Sequence, residues 1–183
     1  MLAEVAGHLA VAAGDLDAAA AAFHRSEQQH LEVEDRWSAC LARLGRAWVA
    51  RRQRRWVLSL QLHLENLEAT RALTRSAYDF IGLARDLRGV AAAASALGSH
   101  PEAARLYGAS ENLRSLADVA LAPDERQEIE VMLGEVREAL GTRTAEEEQI
   151  MGWALSPVAA LDLAAGVATG LIDEHSEQQE AVT

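Results

Sequence analysis

Apolar residues recur along almost the whole chain at the three- and four-residue spacing of an α-helix. The clearest stretch places Ile129, Met132, Leu133, Val136 and Leu140 on one face. This periodicity predicts an all-α protein, built as a stack of antiparallel helical hairpins with about nine helices. They are predicted at about residues 2–13, 15–33, 35–52, 55–70, 74–97, 99–117, 123–140, 144–152 and 156–172.

Glycine and capping residues mark several of the predicted helix ends. Gly14 and Gly98 each follow an apolar periodic stretch, as glycines that end helices do. Asp15 is a good N-cap for the second helix, and Ser99 with Glu102 has the spacing of a capping box. The turns between helices are therefore predicted to be short.

Residues 58–65 break the helical pattern, because leucines alternate there with polar residues as in a strand. Leu is not β-branched, and the chain offers no second strand to pair with this one. A solitary strand would leave its backbone groups without partners. We therefore predict a helix whose leucines are covered on two sides, with a strand as the alternative.

The helices are predicted to form one helical-repeat domain over residues 1–172. Residues 173–183 form a polar tail that is expected to fray. The domain is divided into hairpin repeats at about 1–34, 35–72 and 74–118, followed by the C-terminal helices 123–140, 144–152 and 156–172.

The hairpins carry parts of the tetratricopeptide signature, W-x2-L-G-x2-Y followed by A-x3-F. Ala19 and Phe23 supply the second element in the first hairpin. Leu44, Gly45 and Trp48 supply the first element in the second hairpin, with Trp in place of Tyr. The positions assigned to the repeat are Gly7, Gly14, Ala19, Phe23, Leu44, Gly45, Trp48, Gly98, Ala103 and Tyr107.

The repeat positions lead to an expectation about packing. Gly or Ala is needed where the two helices of a hairpin cross, and the aromatic residue fills the gap to the next hairpin. Phe23, Trp48 and Tyr107 are therefore expected to be mostly buried at contacts between hairpins. The second hairpin lacks the A-x3-F element, because Val57 and Gln61 stand there.

The C-terminal half carries a more specific pattern. The run AARLYGASENLR at 103–114, with the pieces at 123–126, 137–141 and 152–156, resembles a block near the C-terminus of large bacterial transcription regulators of the LuxR and AfsR type. In that family a helical-repeat region follows a signalling ATPase module. The resemblance covers residues 99–163 and implies a tetratricopeptide-like sensor or interaction region.

This chain departs from that family in two ways. Ala145 and Gln149 stand where the family usually has aromatic residues, with Trp153 close by. We also find no nucleotide-binding loop and no DNA-binding helix-turn-helix. The resemblance therefore extends to the repeat portion of such a regulator.

The formal net charge of −11 disfavours direct binding to nucleic acid, because a negative chain repels phosphate backbones. All the basic residues are Arg, which removes chemistry that needs Lys, such as a phosphate-loop lysine or a Schiff base. The Arg-only composition is typical of a GC-rich bacterium.

Cys40 is the only cysteine, which fits a reducing cytoplasm. No apolar run is long enough to span a membrane.

A polar arc on the second helix is the first candidate site. His24, Glu27, His30 and Glu34 would lie on one side of a regular helix, at spacings that hold metals. The alternative is a solvated polar face opposite the alanines. We favour the solvated face, because such a stripe lacks the closed geometry of a metal site.

Two charge clusters are also candidates. Arg51, Arg52, Arg54 and Arg55 lie beside Trp56 in a combination that binds phosphates, but a turn whose arginines pair with nearby acids is the preferred interpretation. The three glutamates at 146–148 point in different directions on a helix. They are therefore expected to favour the helix dipole and not to form a catalytic pair.

Two tryptophans share a helix face. Trp37 and Trp48 are eleven residues apart, so they are expected to form a buried pair and not a ligand cage. The first helix, in contrast, is apolar nearly all round. Leu2, Val5 and Leu9 are therefore expected to mediate self-association into a homodimer.

Together these patterns favour a non-catalytic protein-interaction or sensor module with a protein or peptide partner. The alternative is a small-molecule sensor with a pocket inside the helical stack. An enzyme is less favoured, because the sequence presents no Ser–His–Asp or Cys–His arrangement. No cofactor, metal, membrane or nucleic-acid partner is expected.

Overall fold

The computed structural model describes residues 2–73, 80–121 and 123–180. These residues form helices and short turns without a strand, so the prediction of an all-α helical stack is confirmed. The predicted start of the fifth helix, at 74–79, lies outside the described residues. The helices are α1 (Leu2–Ala12), α2 (Leu16–Glu32), α3 (Arg36–Arg52), α4 (Trp56–Leu73), α5 (Phe80–Ala96), α6 (His100–Leu116), α7 (Pro123–Leu140), α8 (Thr142–Trp153) and α9 (Pro157–Glu180).

Six of the described helices end in one left-handed residue. Gly14, Gly98 and Gly141 adopt φ of 77°, 86° and 78°, which glycine tolerates without strain. Non-glycine residues take the same conformation at the other three turns, which are Glu34, Arg54 and Asp118. The turns at Gly14, Glu34 and Arg54 follow one another at intervals of twenty residues. A hairpin of two such helices is longer than the tetratricopeptide unit of about 34 residues.

Side-chain caps fix some of the helix starts. Asp15 accepts a hydrogen bond from the backbone of Ala18 at 2.9 Å, as predicted. The expected capping box at α6 has a different form, because Ser99 donates its hydroxyl to the Glu102 carboxylate at 2.9 Å instead of capping the backbone.

The first six helices pack in chain order, each against the next. Helix α8 packs mainly on α6, and α9 returns to lie against α4, α5 and α6. In a simple repeat stack each unit contacts only its neighbours. The position of α9 therefore adds long-range packing, and the solenoid arrangement stays a prediction.

Phe23 is the most deeply buried aromatic residue among the predicted repeat positions. Its ring is buried between Gly7 of α1 and Gly45 of α3. A Cβ atom would lie 2.8 Å from the ring at Gly7 and 2.7 Å at Gly45, so neither position has room for a side chain. Trp48 and Tyr107 are less deeply buried than Phe23, but most of each side chain is covered, so the expectation that the three are mostly buried holds.

A second close helix crossing joins α6 and α8. Gly108 and Gly152 are both buried, and a Cβ atom on either would run into the backbone of the other helix, at Gln149 and Arg105 respectively. The two backbones therefore approach each other directly. Ala145 of the same helix α8 is also fully buried.

The alternating segment 58–65 is helical, as predicted, and lies within α4. Leu60 and Leu62 are buried, and so are the polar residues Ser59, His63 and Asn66. The predicted end of the last helix at about 172 is wrong, because α9 continues to Glu180, while the fraying of the tail stays a prediction. Within the described residues, no helix is both long and apolar enough to cross a membrane.

Candidate ligand-binding cleft

Helices α1, α3, α5 and α7 enclose a cleft of about 430 Å³. Phe23 of α2 and His63 of α4 also reach it. The volume falls within the range of pockets that hold small molecules. The lining residues are Glu4, His8, Val11, Phe23, Leu41, Leu44, Gly45, Trp48, Arg51, His63, Arg85, Arg88, Ala92, Glu125, Glu128, Ile129 and Met132.

The apolar part of the lining forms an apolar wall to which several helices contribute. Phe23, Leu44 and Trp48 come from α2 and α3, and Ile129 and Met132 come from α7. His8 packs edge-on against Phe23 with ring centroids 5.1 Å apart. Because Gly45 has no side chain, the Phe23 ring lies flush with α3 and leaves the cleft open.

The floor of the cleft is polar and depends on Gly89. A Cβ atom at Gly89 would overlap the His63 imidazole and lie 2.8 Å from Nη1 of Arg51. The missing side chain therefore gives both groups room against α5. Burial lowers the pKa of Arg51, and the nearby Glu128 carboxylate opposes that shift.

His63 is held from behind by a buried carboxylate. Its Nδ1 lies 2.7 Å from Oδ1 of Asp86, and Asn66 donates to the same carboxylate at 3.4 Å. Burial lowers the pKa of His63 and raises that of Asp86. A neutral imidazole that donates Nδ1–H to Asp86 presents Nε2 as an acceptor. His63 is only 1% exposed, and its Nε2 has no hydrogen-bond partner among the described residues.

Glu128 of α7 bridges the cleft to α3. Its carboxylate accepts hydrogen bonds from Nε1 of Trp48 and Nη2 of Arg51, each at 3.2 Å. Arg52 approaches the same carboxylate at 3.6 Å, and its guanidinium lies 5.4 Å from the Trp48 ring centroid. Arg51 therefore already binds one carboxylate, that of Glu128.

A second ion pair lies nearby between α5 and α7. Arg88 donates to Glu125 at 2.7 Å. Burial lowers the pKa of Arg88, and Glu125 opposes the shift. The polar part of the cleft therefore consists of two arginine–glutamate pairs and the His63 imidazole, together with Glu4, His8 and Arg85.

A buried ionic network supports the cleft from behind. Glu27 of α2 accepts from Arg43 at 2.6 Å and also binds Arg46. Arg43 donates to Asn66 at 3.3 Å, which links this network to the His63 pair. The preferred interpretation of the α2 arc as a solvated face is therefore wrong for Glu27, which turns towards α3. His24 is exposed, so the arc does not converge.

Two other sequence interpretations change. Arg51 and Arg52 stand at the C-terminal end of α3, and both pair with the carboxylate of Glu128, as the predicted pairing with acids requires. The sequence did not predict that Arg51 lines the cleft. The predicted buried pair of tryptophans is wrong, because Trp37 is 48% exposed. Trp37 lies in the first turn of α3, at the edge of the helical stack, whereas Trp48 lies over the cleft.

The glutamates at 146–148 lie away from the cleft, on α8. Glu147 pairs with Arg143 at 2.8 Å, and Glu148 accepts from Arg105 at 2.8 Å. They lie beyond the first turn of α8, which begins at Thr142. Glu147 thus forms a surface ion pair and Glu148 an interhelix one, so for these two the expected helix-dipole role gives way to these contacts.

The sequence offered one unused signal for this site. Ser59, His63 and Asn66 lie at i, i+4 and i+7 in a leucine-rich helix, which is one polar stripe on a helix covered on its other faces. A buried polar stripe requires partners on the neighbouring helices. Asp86 of α5 is that partner, but its pairing with His63 requires knowledge of the α4–α5 register.

The described lining of the cleft offers both apolar and polar groups to a bound molecule. It combines an apolar wall, guanidinium donors and one buried imidazole nitrogen, which are groups that orient a bound molecule. Comparison of the chain with protein-family models, curated proteins and solved structures found no match.

Proposed function

We propose that the chain is a non-catalytic sensor module that binds a small molecule in the cleft between α1, α3, α5 and α7. The observation that carries this proposal is a cavity of ligand size that joins apolar residues to the Arg51 guanidinium, with the buried and unpartnered Nε2 of His63 against Gly89 at its edge. A buried polar atom without a partner is costly unless something binds it. The apolar wall would hold the rest of the ligand.

A protein or peptide partner is the second candidate, favoured by the outer surface of α1. Leu2, Val5 and Leu9 are exposed there, and such a patch is typical of an interaction surface. The two functions are compatible, since a sensor must pass its state to another protein or to a second copy of itself.

The resemblance of residues 99–163 to regulators of the LuxR and AfsR type supports the wider setting. In that setting the module would serve transcription regulation in the cytoplasm of a bacterium. It would act through a partner, without direct contact to DNA, which agrees with the net charge of −11.

A thermal-shift screen with a cleft-blocking variant tests the proposal. The library holds small acids, amines, neutral polar molecules and short peptides. Ala92 lines the cleft and is partly buried, whereas Ala96 lies one turn further along α5 and is exposed. Compounds that raise the Tm of the parent and of Ala96→Phe, but not of Ala92→Phe, are expected.

Two results would contradict the proposal. One is a library in which no class of compound raises the Tm of the parent. The other is a set of stabilising compounds whose effect is the same in Ala92→Phe, since they would bind elsewhere. Stabilisation by peptides alone, with the same sensitivity to Ala92→Phe, would favour the second candidate.

A further inference from the structure

We propose that the cleft recognises a small amphipathic organic acid, whose carboxylate takes the place of the Glu128 side chain on Arg51 while its apolar body lies against Phe23 and Met132. This inference rests on the proposed function and names the class of ligand that the same site takes. Three features of the cleft carry it.

The first feature is the internal carboxylate. Glu128 accepts hydrogen bonds from Arg51 and from the indole of Trp48, so these two donors already form a carboxylate site. Glu128 belongs to α7, on the opposite side of the cleft, and its side chain is about one-third exposed. A free carboxylate in the cleft would meet the same donors, and the displaced Glu128 would gain water and keep the exposed Arg52 within reach.

The second feature is donor capacity that Glu128 does not use. Arg51 reaches Glu128 through Nη2, while its Nη1 lies beside His63 over Gly89. A planar guanidinium binds a carboxylate best through two nitrogens. A ligand carboxylate that replaces Glu128 would take Nη2 with one oxygen and Nη1, on the His63 side, with the other.

The third feature is His63 itself. The charged groups that face its ring are Asp86 of α5 and Arg51 of α3. A carboxylate oxygen accepts hydrogen bonds, so Nε2 must carry a proton to hold it. Because Nε2 lies against Gly89 with almost no accessible surface, a small shift of the ring would bring it to the ligand, and the imidazole would take that proton from solvent as the acid binds.

The apolar wall favours an acid that carries an apolar chain. Phe23, Leu44, Ile129 and Met132 surround the space above the polar floor. Burial of apolar ligand surface there contributes about 25 cal/mol per Å². A bare anion would gain none of this, so inorganic phosphate is expected to bind poorly.

Calorimetric titration with matched probes tests the inference on the full chain. The probes are octanoate, octanamide, octylamine and inorganic phosphate. Octanoate is expected to bind with a Kd at least about tenfold lower than that of the amide or the amine, which is the usual size of a charge-assisted hydrogen bond. Equal binding of octanamide, or saturation by phosphate alone, would overturn the inference.

Glu128 competes with the ligand carboxylate for Arg51, so its substitution is expected to tighten octanoate binding. A merely structural role of Glu128 would not produce tighter binding. Glu128→Gln weakens the internal occupant of Arg51, so octanoate is expected to bind about threefold or more tightly. Glu147→Gln is the control, since it weakens an ion pair with Arg143 outside the cleft and should leave the Kd unchanged. Arg51→Gln should weaken binding by about tenfold or more.

Arg51→Gln is buried and could lower stability, so circular dichroism must first show that the variant is folded. If it is unfolded, the gain in Glu128→Gln decides the matter, and an unchanged Kd there contradicts the inference. If octanoate fails but a different class of compound binds with sensitivity to Ala92→Phe, the ligand class is wrong and the proposed function stands.

Discussion

The Phe23 ring fills the space that a side chain at Gly45 would occupy. A Cβ atom there would lie 2.7 Å from Cδ1 of the ring, closer than such atoms approach in proteins. Gly45→Ala is therefore expected to force the ring and α3 apart. We expect a loss of about 1–3 kcal/mol in the free energy of unfolding, measured by chemical denaturation.

A matched glycine separates this clash from helix propensity. Gly134 lies in the middle of α7, where a Cβ atom would meet nothing within 4 Å beyond its own helix. Gly134→Ala is expected to raise stability by about 0.5–1 kcal/mol, because alanine favours a helix. If Gly45→Ala were stabilising to the same extent, the Phe23 packing would be wrong.

Phe23 and Tyr107 hold equivalent places in the predicted repeat pattern but differ in burial. Phe23 is 2% exposed, so Phe23→Ala is expected to cost about 3–5 kcal/mol. Tyr107 is only partly buried, so Tyr107→Ala should cost clearly less. Urea denaturation of both variants checks the order, and equal costs would show that the sequence pattern describes packing better than the observed burial does.

The buried imidazole predicts how stability depends on pH. Burial lowers the pKa of His63 below its ordinary value of 6.5, so the unfolded chain binds a proton that the folded chain excludes. The contribution of His63 is therefore fully present above pH 6.5 and is lost as the pH falls towards its folded pKa. Denaturation at about pH 7.5 and about pH 5.5 should show a drop of about 1 kcal/mol from this residue.

Substitution of the histidine isolates that contribution. The raised pKa of Asp86 acts in the opposite sense, since its contribution is greatest below pH 3.8 and is lost as the pH rises through its folded pKa. The comparison is therefore between the parent and His63→Gln at each pH. His63→Gln should show the smaller drop, while His24→Gln, at an exposed position, should match the parent. An unchanged drop in His63→Gln would contradict the assignment.

The helical framework could be predicted because its signals are local. Gly14 and Gly98 end helices through their own backbone freedom, and Asp15 caps α2 with its own side chain. The helix over 58–65 followed from the absence of a second strand. The length of α9 was underestimated, because a polar composition after Asp173 does not by itself end a helix.

The cleft could not be predicted, since it depends on contacts between residues far apart in the chain. The pair of Arg51 and Glu128 joins α3 to α7, and the pair of His63 and Asp86 joins α4 to α5. Each partner has several alternatives of the same charge in the sequence. Only the packing of the helices, including the room that Gly89 leaves, selects among them.

The outer face of α1 supports the prediction of self-association. Leu2, Val5 and Leu9 are 90%, 56% and 65% exposed, and none of them lines the cleft that Glu4 and His8 reach. We expect a homodimer that buries this face. Analytical ultracentrifugation of the parent at tens of micromolar should give twice the monomer mass, and Val5→Asp with Leu9→Asp should give the monomer.

A second double variant controls for general loss of apolar surface. Ile150 and Val158 are 69% and 53% exposed, outside α1. Ile150→Asp with Val158→Asp should leave the dimer intact. A monomeric parent would contradict self-association, and so would an α1 variant that stays dimeric.

The central claim is that the buried Nε2 of His63 is the part of the cleft that a ligand engages. Nitrogen-15 magnetic resonance of the six histidines measures this directly, because the shift of each ring nitrogen reports whether it carries a proton. Without ligand, Nε2 of His63 should be unprotonated, and saturating octanoate should move it to the protonated position while the exposed His24 is unchanged. A His63 resonance that does not respond, or that responds no more than His24, would contradict the account.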